Sequence, residues 1–377
     1  MPKNMKNDGY REGQSAPDCD GSASAPDESR GGTAVELLKY AVKILITAGI
    51  VAALVWTSKE HGTFDDFDIS GLNWGWLAAA FALYILHLFV NAWRWRLLLA
   101  YRRIPCSLLS AFSLTTQSFF FSLVMPGGAI GGDVIRAGFL AYRVPKGQKF
   151  DGVFTILMDR FTGMIGIFLT VFLALPFAWR YLDGTDPKAK LLTFALLGAS
   201  AAGLLAAAVI FLHKQLEKLA FFRWGEDLGA KLTHGFSTKL LDALDSYSGA
   251  TREIVVCVLA SILGVNFVLG LCFYCVCLAF DTSLAPLFAP IVAAITVGNI
   301  AGLIPATMSG IGLRDYFVAA ILGAALAELP DCRIDALAPT LVMTGVIIAG
   351  GLFGGIFFLF DNPRRKTPVQ PPAPPEK

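Results

Sequence analysis

From about residue 36 to residue 361 this chain is a succession of long apolar runs, and two of those runs are interrupted from within by proline and glycine. A bilayer core needs about 20 apolar residues for each helical crossing. Nine stretches read as helices on that measure or near it: 36–57, 74–98, 108–125, 152–177, 190–212, 252–280, 285–304, 314–329 and 337–361. The chain is 55% hydrophobic and only 16% charged, against about 25% charged in soluble domains. A soluble chain of 377 residues would need more charge to cover its core. The reading is an all-α, polytopic integral membrane protein.

The ends differ from the middle. Residues 1–33 are polar and rich in Gly, Ser, Asp and Pro, which cannot bury enough apolar surface to fold alone. No apolar segment lies near Met1, so no cleavable signal peptide is expected and the first apolar helix serves as its own insertion signal. Residues 362–377 are a proline-rich tail, read as a flexible end. Between the tails lie a first membrane half (34–212), a linker (213–251) and a second membrane half (252–361). The linker places Leu216, Leu219, Phe222, Leu240, Leu241 and Leu244 at helical spacing. It reads as amphipathic helices on the cytoplasmic surface, with a small soluble helical hairpin as the alternative. Trp56, Trp74, Trp76, Trp93, Trp95 and Trp179 fall at or near segment ends, as an interfacial aromatic belt would have them.

Basic residues in short loops set orientation. Arg94, Arg96, Arg102 and Arg103 read as cytoplasmic, as do Arg143, Lys146 and Lys149, the basic residues of the linker, and Arg364, Arg365 and Lys366. The 58–72 loop, with Asp65, Asp66 and Asp68, reads as external. These assignments agree only if 108–125 enters and leaves on the cytoplasmic side. The expectation is therefore about eight spanning helices plus a re-entrant segment, with both termini cytoplasmic in the cell (inner or plasma) membrane. Re-entrant backbone must be buried in protein or line a wet cavity.

The first break runs Met125-Pro126-Gly127-Gly128-Ala129-Ile130-Gly131-Gly132-Asp133-Val134-Ile135-Arg136. Proline removes a backbone donor and the glycines loosen the helix. Asp133 is placed to cap a new helix, with Arg136 one turn further on. The second break spans Asn299 to Asp315 and repeats the order of parts: Pro305, then Ser309, Gly310 and Gly312, then Arg314 and Asp315. Matching broken helices in two halves of a transporter point to its binding site, so an internal repeat is expected, inverted or parallel. Freed amides at a helix N-terminus suit an anion. Asp159 and Arg160 form an adjacent ion pair early in one span, and Asn91-Ala92-Trp93-Arg94-Trp95-Arg96 closes another. Charges cost about 2.5–3.5 kcal/mol each at mid-bilayer on insertion scales, so a set of them persists only if paired, wet or near the surface. Arg94 and Arg96 also read simply as interface anchors, Arg96 above all; Asp133 and Arg136 as a solvated cap; Asp159 and Arg160 as a tie between helices.

No metal or other cofactor is expected. Cys272-x-x-Cys275-x-Cys277 lies in an apolar helix without nearby His, Asp or Glu and reads as packing. The four histidines, His61, His87, His213 and His234, include no ligand pair. No basic, aromatic-rich block suggests nucleic acid.

The N-x-W-R at Asn91 to Arg94, P-G-G-x-x-G-G-D-x-x-R at Pro126 to Arg136, D-R-x-x-G at Asp159 to Gly163 and P-x-x-x-S-G-I-G-x-R-D at Pro305 to Asp315 resemble the transmembrane, flippase-like domain of lysylphosphatidylglycerol synthases and its stand-alone relatives, over roughly residues 36–361. That family commonly shows Gly-Gly and a Glu after the Arg in the last motif, where this chain has Ser309-Gly310 and Asp315. The resemblance implies movement of a phospholipid or polyprenol-linked lipid between leaflets. Arg136, Arg160 and Arg314 are the residues expected to hold its phosphate by charge-assisted hydrogen bonds. Lipid aminoacylation is not expected, because the chain ends at Lys377 without the soluble transferase domain. A membrane accessory subunit of a glycosyltransferase or lipid-modifying enzyme, itself membrane-bound or cytosolic, is a further reading. An intramembrane lipid-modifying enzyme is another, for which no acid-base set is apparent.

Overall fold

The computed structural model describes residues 71–125, 128–182, 187–211, 247, 249–303, 311–329 and 334–360, all within one compact unit, Tyr40–Lys377. The expected helix at 36–57, both tails, most of the 213–251 linker, and Pro126, Gly127, Pro305, Ser309 and Gly310 lie outside the described residues. Every regular element among the described residues is helical: α1 Trp74–Tyr101, α2 Leu108–Val124, α3 Ala129–Arg143, α4 Lys149–Leu182, α5 Pro187–Phe211, α6 Thr251–Phe280, α7 Phe288–Ala301, α8 Leu313–Leu326 and α9 Leu337–Phe360. Short 3₁₀ turns precede α4 and α7. Among the described residues five helices are long and apolar enough to cross a membrane: α1, Lys149–Phe177 of α4, α6, Thr282–Ala301 through α7, and α9.

Local sequence explains where these helices start. Asn73 accepts from the Gly75 and Trp76 amides at the head of α1, and Ser107 accepts from Ser110 at the head of α2; both are ordinary N-cap residues. Gly128 (φ 56°) and Gly312 (φ 90°) open α3 and α8 in backbone that a side chain resists.

The two breaks turn the chain back on itself. Gly132 lies so close to α2 that a Cβ there would meet the Ser118 carbonyl and the Ser122 hydroxyl at 2.2 Å. At the other end of the pair Arg143 donates to Ser110 Oγ at 2.8 Å. Helices α2 and α3 are thus an antiparallel hairpin, and its arms of 17 and 15 residues are about 25 and 22 Å long. Both fall short of a bilayer core of about 30 Å. The hairpin has the geometry expected of a re-entrant segment, but it extends through Arg143, beyond the expected 108–125. Helices α7 and α8 pair in the same way, Gly298 lying against Arg314 and Val318. The expected crossing at 314–329 is only 14 residues long, about 21 Å, too short to cross alone.

The packing also shows how the halves are related. Helix α1 lies along α6 in an antiparallel sense: Asn73 N meets Ala279 O at 2.9 Å, Ala80 O meets Cys272 Sγ at 3.1 Å, His87 Nδ1 meets Val265 O at 3.0 Å, and Arg94 O meets Cys257 Sγ at 3.6 Å. Exchange α1 with α6, α2 with α7, α3 with α8 and α4 with α9, and the main contacts among these eight helices map onto one another. Helix α2 packs on α9 as α7 packs on α4; α2 on α3 as α7 on α8; α3 on α4 as α8 on α9; α1 on α2 as α6 on α7. Because the self-paired helices α1 and α6 are antiparallel, the halves are inverted. Residues 178 positions apart correspond, as Arg136 and Arg314 do, and His87 with Val265 marks where the pseudo-two-fold axis crosses α1 and α6.

The main core joins α1, α6, α7, α8 and α9, with Cys272, Cys275 and Cys277 packed inside it. Glycines in α9 allow close approach: a Cβ on Gly354 would meet the Thr116 carbonyl of α2 at 2.0 Å. Small residues serve this purpose where lipid offers no hydrophobic drive between helices. At the end of α1, Tyr247 packs on Tyr101, Phe154 and the Arg102 guanidinium. Burial pushes its phenol above the ordinary range, against the opposing pull of Arg102.

Candidate functional site

The motif arginines and aspartates come together, in partnerships that sequence adjacency does not indicate. Asp159, on α4 and 4% exposed, sits between two arginines from other helices. Arg94 Nε of α1 donates to its Oδ1 at 2.9 Å and Arg94 Nη2 to its backbone carbonyl at 3.3 Å. Arg136 Nη1 of α3 donates to Oδ2 at 3.3 Å. Asp159 and Arg160 therefore do not form the expected adjacent ion pair. A helix points consecutive side chains about 100° apart, so Asp159 faces α1 and α3 while Arg160 reaches Asp133. Arg160 Nη2 donates to Asp133 Oδ1 at 2.9 Å, and its Nε is bonded to Oδ2.

Asp133 consequently does not cap the new helix. Helix α3 already begins at Ala129, and the Asp133 carboxylate is bound sideways by Arg160. The carboxylate cap belongs to the second break, where Asp315 Oδ2 accepts from the Gly312 amide at 3.0 Å. Asp315 Oδ1 also accepts from Arg314 Nη2 at 2.7 Å and from Thr344 of α9 at 2.9 Å.

Each motif residue with a described role can be placed. Gly163 leaves room for Arg94, since a Cβ there would lie 3.1 Å from its guanidinium. Asn91 is directed along α1: its Nδ2 donates to the His87 carbonyl at 3.0 Å and lies 3.3 Å from His87 Nε2. Arg94 is buried at 5% exposure rather than anchored at an interface, whereas exposed Arg96 donates to the Cys106 carbonyl. Gly131 and Asn299 are half-buried on α3 and α7.

Two contributors escaped the sequence reading. Trp95 is no belt residue: it is fully buried, its indole donates to Thr155 Oγ1 at 3.0 Å, and the Arg136 guanidinium lies 3.6 Å from its ring centroid. Trp74 and Trp179, both more than half exposed, do suit a belt. Thr344, which shares Arg314 with Asp315, follows no motif and carried no signal.

The two halves differ in charge. Arg314 is balanced by Asp315, and Arg160 by Asp133. In the buried cluster two guanidinium groups share one carboxylate, leaving one positive charge over among the described residues. Arg136, 3% exposed, keeps its Nε and Nη2 without hydrogen-bond partners among the described residues. These two donors form one edge of the planar group, a fork that matches two oxygens of a phosphate or carboxylate. Buried donors are nearly always satisfied, so this unpartnered edge singles out Arg136 among the buried charges. Arg160 and Arg314 spend their donors on carboxylates, unlike the equal roles expected of them.

Among the described residues no cluster of three His, Cys, Asp or Glu side chains could hold a metal ion. No curated protein and no solved structure matches the chain. The sequence signature of one family, described as lysylphosphatidylglycerol synthase TM region, matches residues 40–330. That match covers well over half of the chain and takes in every motif built into the cluster: the chain belongs to the membrane-embedded, lipid-associated lysylphosphatidylglycerol synthase TM region family.

Proposed function

We propose that this protein moves an anionic lipid between membrane leaflets as a carrier, without changing the lipid chemically. One observation carries the reading: the buried, unpartnered Nε/Nη2 edge of Arg136, in a cluster that among the described residues has one uncompensated positive charge. A lipid phosphodiester brings one negative charge and two oxygens at the spacing of that fork. Trp95 holds the guanidinium from its other face, where cation–π attraction gains from desolvation. The inverted hairpins offer polar helix ends within the bilayer on either side of the pseudo-two-fold axis, as in transporters built from inverted repeats. With the basic loops inside, the first hairpin faces the cytoplasm and the second the opposite compartment.

The test is movement of NBD-labelled phosphatidylglycerol in reconstituted phosphatidylcholine vesicles, followed by dithionite quenching, with mass spectrometry of the recovered lipid. Wild type flips the probe with its mass unchanged. Arg136→Ala removes the activity, and Arg136→Lys lowers it at least about tenfold, because a point charge replaces a planar fork. Wild-type rates in either variant, with correct folding shown by gel filtration, would remove the site. A changed lipid mass would replace the carrier reading with an enzymatic one.

A further inference from the structure

His87 is buried within α1 and takes no part in the arginine cluster. It stands on the pseudo-two-fold axis, where α1 crosses the π-helical turn Ala260–Asn266 of α6. Such turns are rare and frequent at functional sites. Its Nδ1 lies 3.0 Å from the Val265 carbonyl, which can only accept, so Nδ1 carries the proton. That leaves Nε2 as an acceptor, approached by Asn91 Nδ2 at 3.3 Å. The ring is the neutral tautomer in this conformation.

Tyr84, His87, Asn91 and Arg94 follow one another at helical spacing on a single face of α1. Tyr84 stacks on the imidazole with centroids 5.4 Å apart. The stripe runs from the Arg94–Asp159–Arg136 cluster of one half towards Arg314 and Asp315 of the other. The titratable and charged groups around His87 are Tyr84 and Arg94 on α1, Asp159 and Arg136 beyond Arg94, Cys272 on α6 beside Tyr84, and Arg314 with Asp315 on α8. Helix α2 contributes the edge of Phe119, and α9 offers Gly350 beneath Tyr84.

We infer that His87 binds a proton in step with an anionic headgroup at Arg136, so that the lipid movement proposed above is linked to proton movement. The inference rests on that reading. With no anion present, the surplus positive charge of the cluster, about 10 Å from the ring along α1, opposes a second buried positive charge. An anion on the Arg136 fork cancels that surplus. At an effective dielectric of about 20, one unit charge at that distance changes proton affinity on the order of tenfold. Linkage is reciprocal, so a proton on His87 strengthens anion binding by the same factor. The step is a plain protonation. A proton from water forms an Nε2–H bond, the Asn91 amide turns so that Oδ1 accepts from it, and the Nδ2 contacts with Nε2 and the His87 carbonyl break. The proton later returns to water from Nε2, and nothing is oxidised or reduced.

The experiment uses wild type and His87→Gln in phosphatidylcholine vesicles containing NBD-phosphatidylglycerol, with the inside and outside set at different pH. Wild type should move the probe several-fold faster from the acidic side than against the gradient, while His87→Gln moves it at one rate in both directions. Equal wild-type rates in both directions, or a His87→Gln variant that keeps the asymmetry, would overturn the proton link and leave lipid movement standing. No movement by wild type would overturn both. A second measurement does not depend on the folding of His87→Gln. In a variant carrying His61→Gln, His213→Gln and His234→Gln, the sole imidazole is followed by ¹⁵N NMR in nanodiscs. Its protonation should shift to higher pH when phosphatidylglycerol replaces phosphatidylcholine; an unshifted ring, or one that stays neutral to pH 5 in both lipids, overturns the inference.

Discussion

Two arginines from two other helices end on Asp159. Removing one partner of a buried charge set typically costs about 3–5 kcal/mol, since the remaining charge is left in low dielectric. Asp159→Ala, which strands two such charges, should lower the thermal unfolding midpoint in detergent sharply. Arg96→Ala, at an exposed position, should stay within about 0.5 kcal/mol of wild type. Bound phosphatidylglycerol should recover part of the loss in Arg94→Ala but none in Arg136→Ala, which has lost the fork. The presence of these charged residues was legible in the sequence; their pairing was not. Asp159 and Arg160 are neighbours in the chain and point to different helices. Asp133, one turn before Arg136, has Arg160 as its partner.

Among the elements, the hairpins depend on close backbone approach. Gly354→Val should separate α9 from α2, because the Thr116 carbonyl already occupies the space of a Cβ. Overpacking of this kind costs about 1–3 kcal/mol, and the expected readout is a lower melting temperature with faster amide exchange in α2. Gly128→Ala places a side chain at φ 56° and should cost about 1–2 kcal/mol. The same change at Gly138, where a Cβ would meet nothing, should be neutral or slightly stabilising, since alanine favours helix by about 1 kcal/mol. Proline and glycine revealed both breaks in the sequence. They did not reveal that the second helix after each break returns alongside the first, because that depends on which small residues face the partner arm.

For the whole molecule, inversion of the two halves makes a topological prediction. In a cysteine-free background, Ser107→Cys and Tyr142→Cys, at the open end of the first hairpin, should react with a membrane-impermeant maleimide from the cytoplasmic side only. Ser283→Cys and Ala327→Cys, at the open end of the second, should react from the opposite side only. Labelling of all four from one side would mean that the halves are parallel. An inverted arrangement also gives His87 its position. A residue at the centre of α1 meets its own structural counterpart, Val265, where the two halves cross.

The sequence alone determined the membrane class, most of the long helices among the described residues, both breaks and the family, because each rests on local properties: run length, hydropathy, proline, glycine and short motifs. Tertiary structure decided the rest. It set the inversion of the halves, the sharing of Asp159, the burial of Trp95 and the unpartnered edge of Arg136. Each depends on which faces of distant helices meet, and in a bilayer that is governed by small-residue packing and by the need to pair every buried charge. Trp95 reads as a belt residue from the chain alone; its burial against Thr155 and Arg136 comes only from the helices placed against it.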